Sequence, residues 1–144
     1  MPVELGHARP NRDWWGAVLN GFRLRCPACR RGALFGRYLK VNEACPACGE
    51  ALHHHRADDA PPYFTILIVG HLIVGAILSV ERAFLPPLWL HAVVWLPLTV
   101  ILCLALLPRI KGAIVGLQWA LYMHGFGGAA DSPEPPPTSA RGPV

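Results

Sequence analysis

The sequence predicts a small four-cysteine zinc-ribbon β module followed by an all-α membrane anchor, a two-helix transmembrane hairpin, and a C-terminal interfacial helix. Three observations lead to this fold class. Two CxxC pairs lie near the N-terminus, separated by 15 residues, and two uncharged apolar runs of about 20 residues lie between residues 63 and 107. Only 15% of the 144 residues are charged, whereas soluble domains average about 25%.

The order of these patterns divides the chain into segments. They are a flexible N-terminus with a short amphipathic helix (1–24), a zinc ribbon (25–52), a His-rich linker (53–62), transmembrane helix 1 (63–84), transmembrane helix 2 (85–107), an amphipathic helix (108–124) and a disordered Pro-rich tail (125–144). Nine of the 13 Lys and Arg residues precede residue 57, so the head is basic and the anchor nearly uncharged. A head of roughly 60 residues rarely has a core large enough for stability, so a metal staple is expected.

The N-terminal helix is predicted over residues 14–24, with Asp13 as its cap. Its Trp, Val and Phe side chains lie close to Arg23 and Arg25, a combination typical of a helix at a membrane interface. Packing of the same apolar side chains against the ribbon explains the pattern equally well, so both interpretations stay open.

The two cysteine pairs, Cys26-Pro-Ala-Cys29 and Cys45-Pro-Ala-Cys48, form the motif that carries chemistry. Their C-x2-C-x15-C-x2-C spacing is typical of a zinc site, because two thiolates three positions apart can cover one edge of a tetrahedral ion. Four thiolates close the coordination shell, so we expect structural rather than catalytic Zn²⁺. Iron in a rubredoxin-like site and a redox CxxC pair are the alternatives. Aromatic and β-favouring residues at 34–41 predict strands between the pairs.

The first apolar run, residues 63–80, contains 18 residues without a charge. That corresponds to about 27 Å of helix, enough to cross a ~30 Å hydrocarbon core with its flanks. Asp58 or Asp59 is predicted to cap this helix, and Pro61 and Pro62 suit its first turn. Two buried helices of a soluble protein are the alternative, but too few other residues remain to bury them.

The second run, residues 88–107, leads into a helix that we expect to lie at the inner membrane surface or to continue the span. One face of that helix combines Ile110, Ala113, Ile114, Leu117 and Leu121. Lys and Arg border both spans on the side of the termini, whereas the connection at 81–87 carries only Arg82. The positive-inside rule therefore predicts a multi-pass protein of the cell (inner) membrane, with both termini and the ribbon cytoplasmic.

The histidine run that follows the ribbon offers further metal-binding nitrogens. Because the thiolates already supply four ligands, we interpret His53, His54 and His55 as part of a solvated linker. A second, weaker metal site that combines them with Asp58 or Asp59 is the alternative.

His71 lies in the middle of the first span, where a polar side chain is costly. We expect neutral His71 to bond Thr99, or the Val93 carbonyl that Pro97 leaves free. A haem, metal or proton role is the alternative. Cys103 lies closer to the cytoplasmic end than His71, so the two do not form an obvious ligand pair.

Four stretches of the chain are similar to a known family: RCPACRRGALFGRYLKV, CPACG, RADDAPPYFTILIVGH and WLPLTVILCLALLPRIKGAIVGLQW. Together they resemble, over residues 20–122, the bacterial family known as domain of unknown function 983. The resemblance implies a short integral membrane protein without an assigned activity, found beside haem-copper oxidase assembly factors. Arg30 stands where ribbons commonly have glycine, which weakens the first turn slightly and leaves all four ligands in place.

The sequence contains no phosphate-binding loop, dinucleotide fingerprint, nucleophilic triad or paired carboxylates, so no catalytic or cofactor-binding residue is assigned and no enzyme is expected. We expect an accessory or assembly protein for a membrane complex, such as a respiratory oxidase, with the lipid bilayer and a membrane protein as partners. A metal or thiol carrier in haem-copper oxidase assembly is one alternative. A membrane-tethered nucleic-acid-binding ribbon, stacking bases on Phe35 and Tyr38, is another. Nucleic acid is not expected, because topology and anionic lipid already explain the basic residues.

Overall fold

The computed structural model describes residues 10–55 and 59–126 of the chain. Its elements are α1 (Trp14–Phe22), β1 (Phe35–Arg37), β2 (Lys40–Val41), α2 (Ala60–Phe84), α3 (Leu88–Ala120) and a 3₁₀ turn (Met123–Gly125). A small β region with a four-cysteine cluster thus precedes two long apolar helices, which confirms the predicted fold class. The parts of the predicted linker and tail at 56–58 and 127–144 lie outside the described residues, as does the predicted flexible segment at 1–9.

The ribbon is built from three short antiparallel pairings. β1 pairs with β2 in a register that places Arg37 opposite Lys40, and the turn between the strands is Tyr38-Leu39. Each cysteine pair is closed by a single bridge, Arg25 with Ala33 and Ala44 with Ala51. The strands predicted at 34–41 are therefore present, and they carry the chain from one cysteine pair to the other.

The first long helix, α2, begins at Ala60 with Pro61 and Pro62 in its first turn, as predicted. Asp59 precedes it but makes no capping bond, so the predicted cap is wrong for this residue. The cause is the two prolines. A capping side chain accepts from the second or third N–H of the helix, and proline has none at either position. The other predicted cap, Asp58, lies outside the described residues.

Both α2 and α3 are long and apolar enough to cross a membrane. α2 has 25 residues and α3 has 33, so α3 is about 50 Å long and exceeds a ~30 Å hydrocarbon core. They pack against each other as a hairpin. Most of their large apolar side chains remain exposed, among them Ile66, Leu72, Leu96 and Ile101.

The helix predicted at 108–124 continues the second long helix, which is one of the two expected alternatives, because α3 runs through Pro108 and ends at Ala120. Proline lacks an N–H and leaves the Leu104 carbonyl without its usual partner in the helix. The Tyr38 hydroxyl donates to that carbonyl at 2.7 Å. A side chain of the ribbon thus supplies the hydrogen bond that the Leu104 carbonyl lacks within α3.

The N-terminal helix α1 begins at Trp14 and is capped by Asp13, whose carboxylate accepts from the Gly16 N–H at 3.0 Å, as predicted. α1 runs antiparallel to the last part of α3, and the two backbones approach closely at glycines. A Cβ on Gly112 would overlap the Gly21 carbonyl, and a Cβ on Gly116 would overlap the Ala17 carbonyl. The structure thus shows α1 packed against α3, where the second interpretation expected the ribbon, and the membrane-interface interpretation stays a prediction.

We call the part of α3 from Pro108 to Ala120 the α3 extension. Its buried face differs from the predicted apolar face. Ile110, Gly112, Val115 and Gly116 are buried there, whereas Leu117 and Leu121 are exposed. Hydrophobicity alone does not mark glycine as a packing residue, but only glycine lets α1 approach this closely. The extension therefore contacts α1 through glycines and the ribbon core through Val115.

One core joins the ribbon to the α3 extension. Leu34 and Leu52 of the ribbon are fully buried together with Val115 of α3 and Phe126 after it. Two of the four cysteines, Cys26 and Cys45, belong to the same core. The head is therefore a single packed unit that includes the extension of a long apolar helix.

We predict that Gly112→Ala lowers the free energy of unfolding by about 1–3 kcal/mol, because the new methyl group must displace the α1 backbone. Alanine is otherwise the better helix former by about 1 kcal/mol. Gly75→Ala is the matched control, since no atom lies within 4 Å of its new methyl group. Thermal unfolding of the purified proteins should show a loss for the first variant alone, and equal behaviour of the two would contradict the close approach.

Candidate metal centre

The four cysteines of the motif meet at one point of the ribbon. Their sulfurs all lie within 4.8 Å of one another, with 3.8 Å between Cys26 and Cys48 and 3.7 Å between Cys29 and Cys45. A tetrahedral metal with bonds of about 2.3 Å requires sulfurs about 3.8 Å apart. The four sulfurs therefore form a cage that fits such an ion. The same distances are far too long for disulfides. Within residues 10–55 and 59–126, no other group of three or more potential ligands comes together.

The two cysteine pairs use the same turn. In each turn the residue after the second cysteine donates its N–H to the carbonyl of the first, Arg30 to Cys26 at 3.0 Å and Gly49 to Cys45 at 2.9 Å. That residue has a left-handed backbone in both cases, with φ of 64° at Arg30 and 75° at Gly49. Arg30 therefore occupies a glycine-type position, at a cost of roughly 1–2 kcal/mol.

Gly32 lets the two pairs approach each other. A Cβ at this position would overlap the Cys45 sulfur. Its carbonyl accepts from the Cys26 N–H at 2.8 Å, and its own N–H donates to the Cys29 sulfur at 3.4 Å. Gly32 thus positions three of the four sulfurs through its backbone and its lack of a side chain.

The backbone also sets the charge state of the thiols. The N–H groups of Gly32 and Arg31 lower the pKa of Cys29 to about 6, because they stabilise the thiolate. Burial raises the pKa of Cys26, because a charged sulfur is costly away from water. A metal ion must therefore displace the Cys26 proton, while Cys29 is ready to bind at neutral pH.

The cage is buried on one side and open on the other. Cys26 and Cys45 lie in the core, whereas Cys48 is exposed. Cys48 borders a concavity of about 470 Å³ whose rim includes Glu50 and His54. Solvent reaches the centre through this edge.

The histidine run does not join the cage. The rings of His53 and His54 lie 4.0 Å apart, and the His54 ring also contacts Phe126 edge-on. His55 Nδ1 pairs with the Leu52 carbonyl at 2.9 Å. In the part of the chain that the structure describes, these side chains make packing and backbone contacts and form no second metal cluster.

His71 is exposed at mid-span and its bond differs from the predicted one. Its Nδ1 pairs with the Leu67 carbonyl of the same helix at 2.7 Å, and Thr99 donates instead to the Trp95 carbonyl at 2.6 Å. The predicted bond across the hairpin is therefore wrong, because each side chain finds a carbonyl one turn back in its own helix. Cys103 is a half-buried free thiol outside the cluster.

Sequence reasoning missed two polar contacts. The Arg12 guanidinium lies between the Trp119 and Tyr122 rings, 4.0 and 4.1 Å from their centroids, and donates to the Trp119 carbonyl at 2.7 Å. At the far end of the hairpin, His91 pairs with Glu81 at 2.9 Å. The first contact has no local sequence signal, since its partners are more than 100 residues apart.

These features define a class of protein, a four-cysteine metal-site head on a hairpin of two long apolar helices. A sequence profile of the family described as Protein of unknown function (DUF983) matches residues 35–119. The match spans more than half of the chain, and the chain belongs to this family. The match is shorter than the resemblance over 20–122 and begins after the first cysteine pair, so Cys26 and Cys29 lie outside it. Searches of curated proteins and of solved structures find no match.

We predict that the purified protein carries about one tightly held metal ion per chain, and that Cys26→Ser reduces this to below about a tenth. Cys103→Ser is the matched control, because Cys103 lies outside the cage. Elemental mass spectrometry of the purified proteins measures the difference. Full metal content in Cys26→Ser would contradict the four-sulfur centre.

We also predict different effects on metal retention at two positions of the first cysteine turn, Gly32 and Arg30. Gly32→Ala should weaken metal retention about tenfold or more, because its methyl group overlaps the Cys45 sulfur. Arg30→Gly should retain the metal as well as the wild type or better, because it relieves a left-handed arginine. Competition with a chromophoric chelator gives both values. A metal loss in Arg30→Gly that equals the loss in Gly32→Ala would contradict the assigned turn geometry.

Proposed function

We propose that the protein is a non-enzymatic accessory or assembly protein of the bacterial inner membrane, in which a structural zinc ribbon holds a docking surface at the cytoplasmic side. The observation that carries this proposal is the shared core of the ribbon and α3. That core joins the head to the long helix as one unit.

The exposed apolar hairpin supports membrane insertion. A helix that forms the core of a soluble protein is mostly buried, whereas the most apolar windows of α2 and α3 are 17% and 0% buried. Soluble monomers rarely expose continuous apolar surface on this scale. The Lys and Arg distribution favours a ribbon on the cytoplasmic side, where thiols stay reduced and bind metal.

Zinc is the ion we assign to the centre. Four thiolates in tetrahedral spacing suit Zn²⁺, and the ribbon has little other core to hold it together. Such a shell has no open position for water, which favours a structural over a catalytic ion.

An aromatic face on α1 is the docking surface in this proposal. Trp14, Trp15, Leu19 and Phe22 are exposed there, Trp15 to 64% and Trp14 to 53%. The opposite side of α1 is already covered by α3. Large aromatic side chains contribute most of the affinity in protein interfaces, so this face suits a protein partner in a membrane complex such as a respiratory oxidase.

A metal carrier for oxidase assembly is the second candidate, and the exposed Cys48 favours it, because a partner thiol can reach the ion from that edge. A protein that holds zinc tightly and neither accepts copper nor cycles its thiols would exclude this candidate. Nucleic-acid binding has less support. Phe35 packs against the ribbon core, and the exposed Tyr38 ring is fixed to α3 through its hydroxyl, so the two rings do not form a joint stacking platform.

Affinity purification from native membranes tests the docking surface. We predict that the wild type recovers a membrane protein partner and that Trp15→Ala lowers recovery about thirtyfold, the effect of losing an interface residue worth ~2 kcal/mol. Leu121→Ala is the control, since Leu121 is similarly exposed but lies after α3. The absence of any partner above background, or equal losses in both variants, would contradict the proposal.

A further inference from the structure

We propose that the β1–β2 turn of the ribbon is a binding site for the phosphate headgroup of an anionic glycerophospholipid. The proposal rests on the proposed membrane insertion and adds to it a lipid ligand and the residues that bind it. Three observations carry it: the position of the turn along α3, an unpaired pair of cations beside the turn, and an exposed apolar surface below it.

Two hydrogen bonds fix the turn against α3. The Tyr38 hydroxyl donates to the Leu104 carbonyl at 2.7 Å, and the Lys111 ammonium donates to the Leu39 carbonyl at 2.9 Å. Leu104 lies one helical turn inside the uncharged run that ends at residue 107, and Lys111 lies one turn beyond it. The turn therefore lies beside the end of the run, the level at which phospholipid headgroups meet the hydrocarbon core.

The two residues that flank this turn are both cations. Arg37 and Lys40 are register partners across the strands, and both are exposed. Like charges at opposite positions of a strand pair repel each other. Among residues 10–55 and 59–126, no carboxylate forms an ion pair with either of them. An anion held between the two side chains would remove this repulsion.

The space next to this pair suits a phosphate group. Arg37 and Lys40 line a concavity of about 420 Å³ together with Gly36, Asn42 and Glu43. Arg presents a planar fork of donors that matches phosphate oxygens, and Lys adds a second charge. Glu43 is the one acidic side chain in the wall, and its charge opposes an anion, so the phosphate has to contact the two cations to outweigh that repulsion.

The surface below the turn suits the acyl chains. Val100, Ile101 and Leu104 of α3 are exposed by 56%, 62% and 54%. Tyr38 is also exposed, with its ring between the cations and the apolar helix, as is typical of aromatic residues at membrane interfaces. A free phosphate would contact only the cations, whereas a phospholipid also covers these apolar side chains. The geometry therefore favours the lipid.

The test uses the full-length protein, purified in mild detergent and examined by native mass spectrometry with phosphatidylglycerol and phosphatidylcholine. We expect the wild type to prefer phosphatidylglycerol, and Arg37→Gln/Lys40→Gln to weaken its binding about twenty-fivefold, since each juxtamembrane cation contributes about fivefold. Arg23→Gln/Arg82→Gln is the matched control. Both arginines are exposed and lie outside the metal cage and the β1–β2 turn, so this variant removes the same charge and should keep the preference.

Each other result overturns the proposal. Equal losses in both double variants would assign the preference to net charge, and an unchanged preference in Arg37→Gln/Lys40→Gln would exclude the turn. Displacement of the lipid by equimolar inorganic phosphate would identify a free-phosphate site instead.

Carbonate extraction of membranes, run on the same variants, separates this proposal from the proposed function. The turn variant should remain in the membrane pellet with its metal bound. Release of the wild type by carbonate would contradict membrane insertion. If the wild type stays in the pellet but does not prefer phosphatidylglycerol, the lipid site is contradicted and membrane insertion is not.

Discussion

The head of this protein depends on the spacing of four sulfurs. Cys26 and Cys45 are buried in the same core as Leu34, Val115 and Phe126, and without a metal the Cys29 thiolate would lie 3.7 Å from the Cys45 sulfur with no cation to balance its charge. A bound metal ion would convert the four thiols into a compact, fixed part of the core. Because Val115 of that core belongs to α3, the ion would also stabilise the attachment of the ribbon to the long helix.

The continuity of α3 is the second feature that links head and hairpin. Pro108 would weaken the helix where it leaves the apolar run, and Tyr38 of the ribbon donates to the carbonyl that the proline leaves unpaired. Farther along the same helix, Gly112 and Gly116 bring α1 into backbone contact with α3. The ribbon and α1 thus both pack against the extension, so a partner that docks on α1 would be connected through α3 to the hairpin.

Sequence reasoning finds the features that are encoded locally. The CxxC spacing identifies the four sulfurs, and the uncharged runs identify both long helices, because each pattern needs only neighbouring residues. It misses contacts between distant segments. The close approach at Gly21 and Gly112, the Tyr38 bond to Leu104 and the Arg12 contact with Trp119 have no periodic signal, and His71 bonds within its own helix instead of across the hairpin.

Backbone hydrogen exchange of the full-length protein, with and without a metal chelator, tests the central claim that metal, ribbon and α3 form one unit. We predict that amides at 110–120 are protected in the metal-loaded protein and lose that protection together with the ribbon once the metal is removed, whereas amides at 90–103 stay protected. Unchanged protection at 110–120 after complete metal removal would contradict this claim.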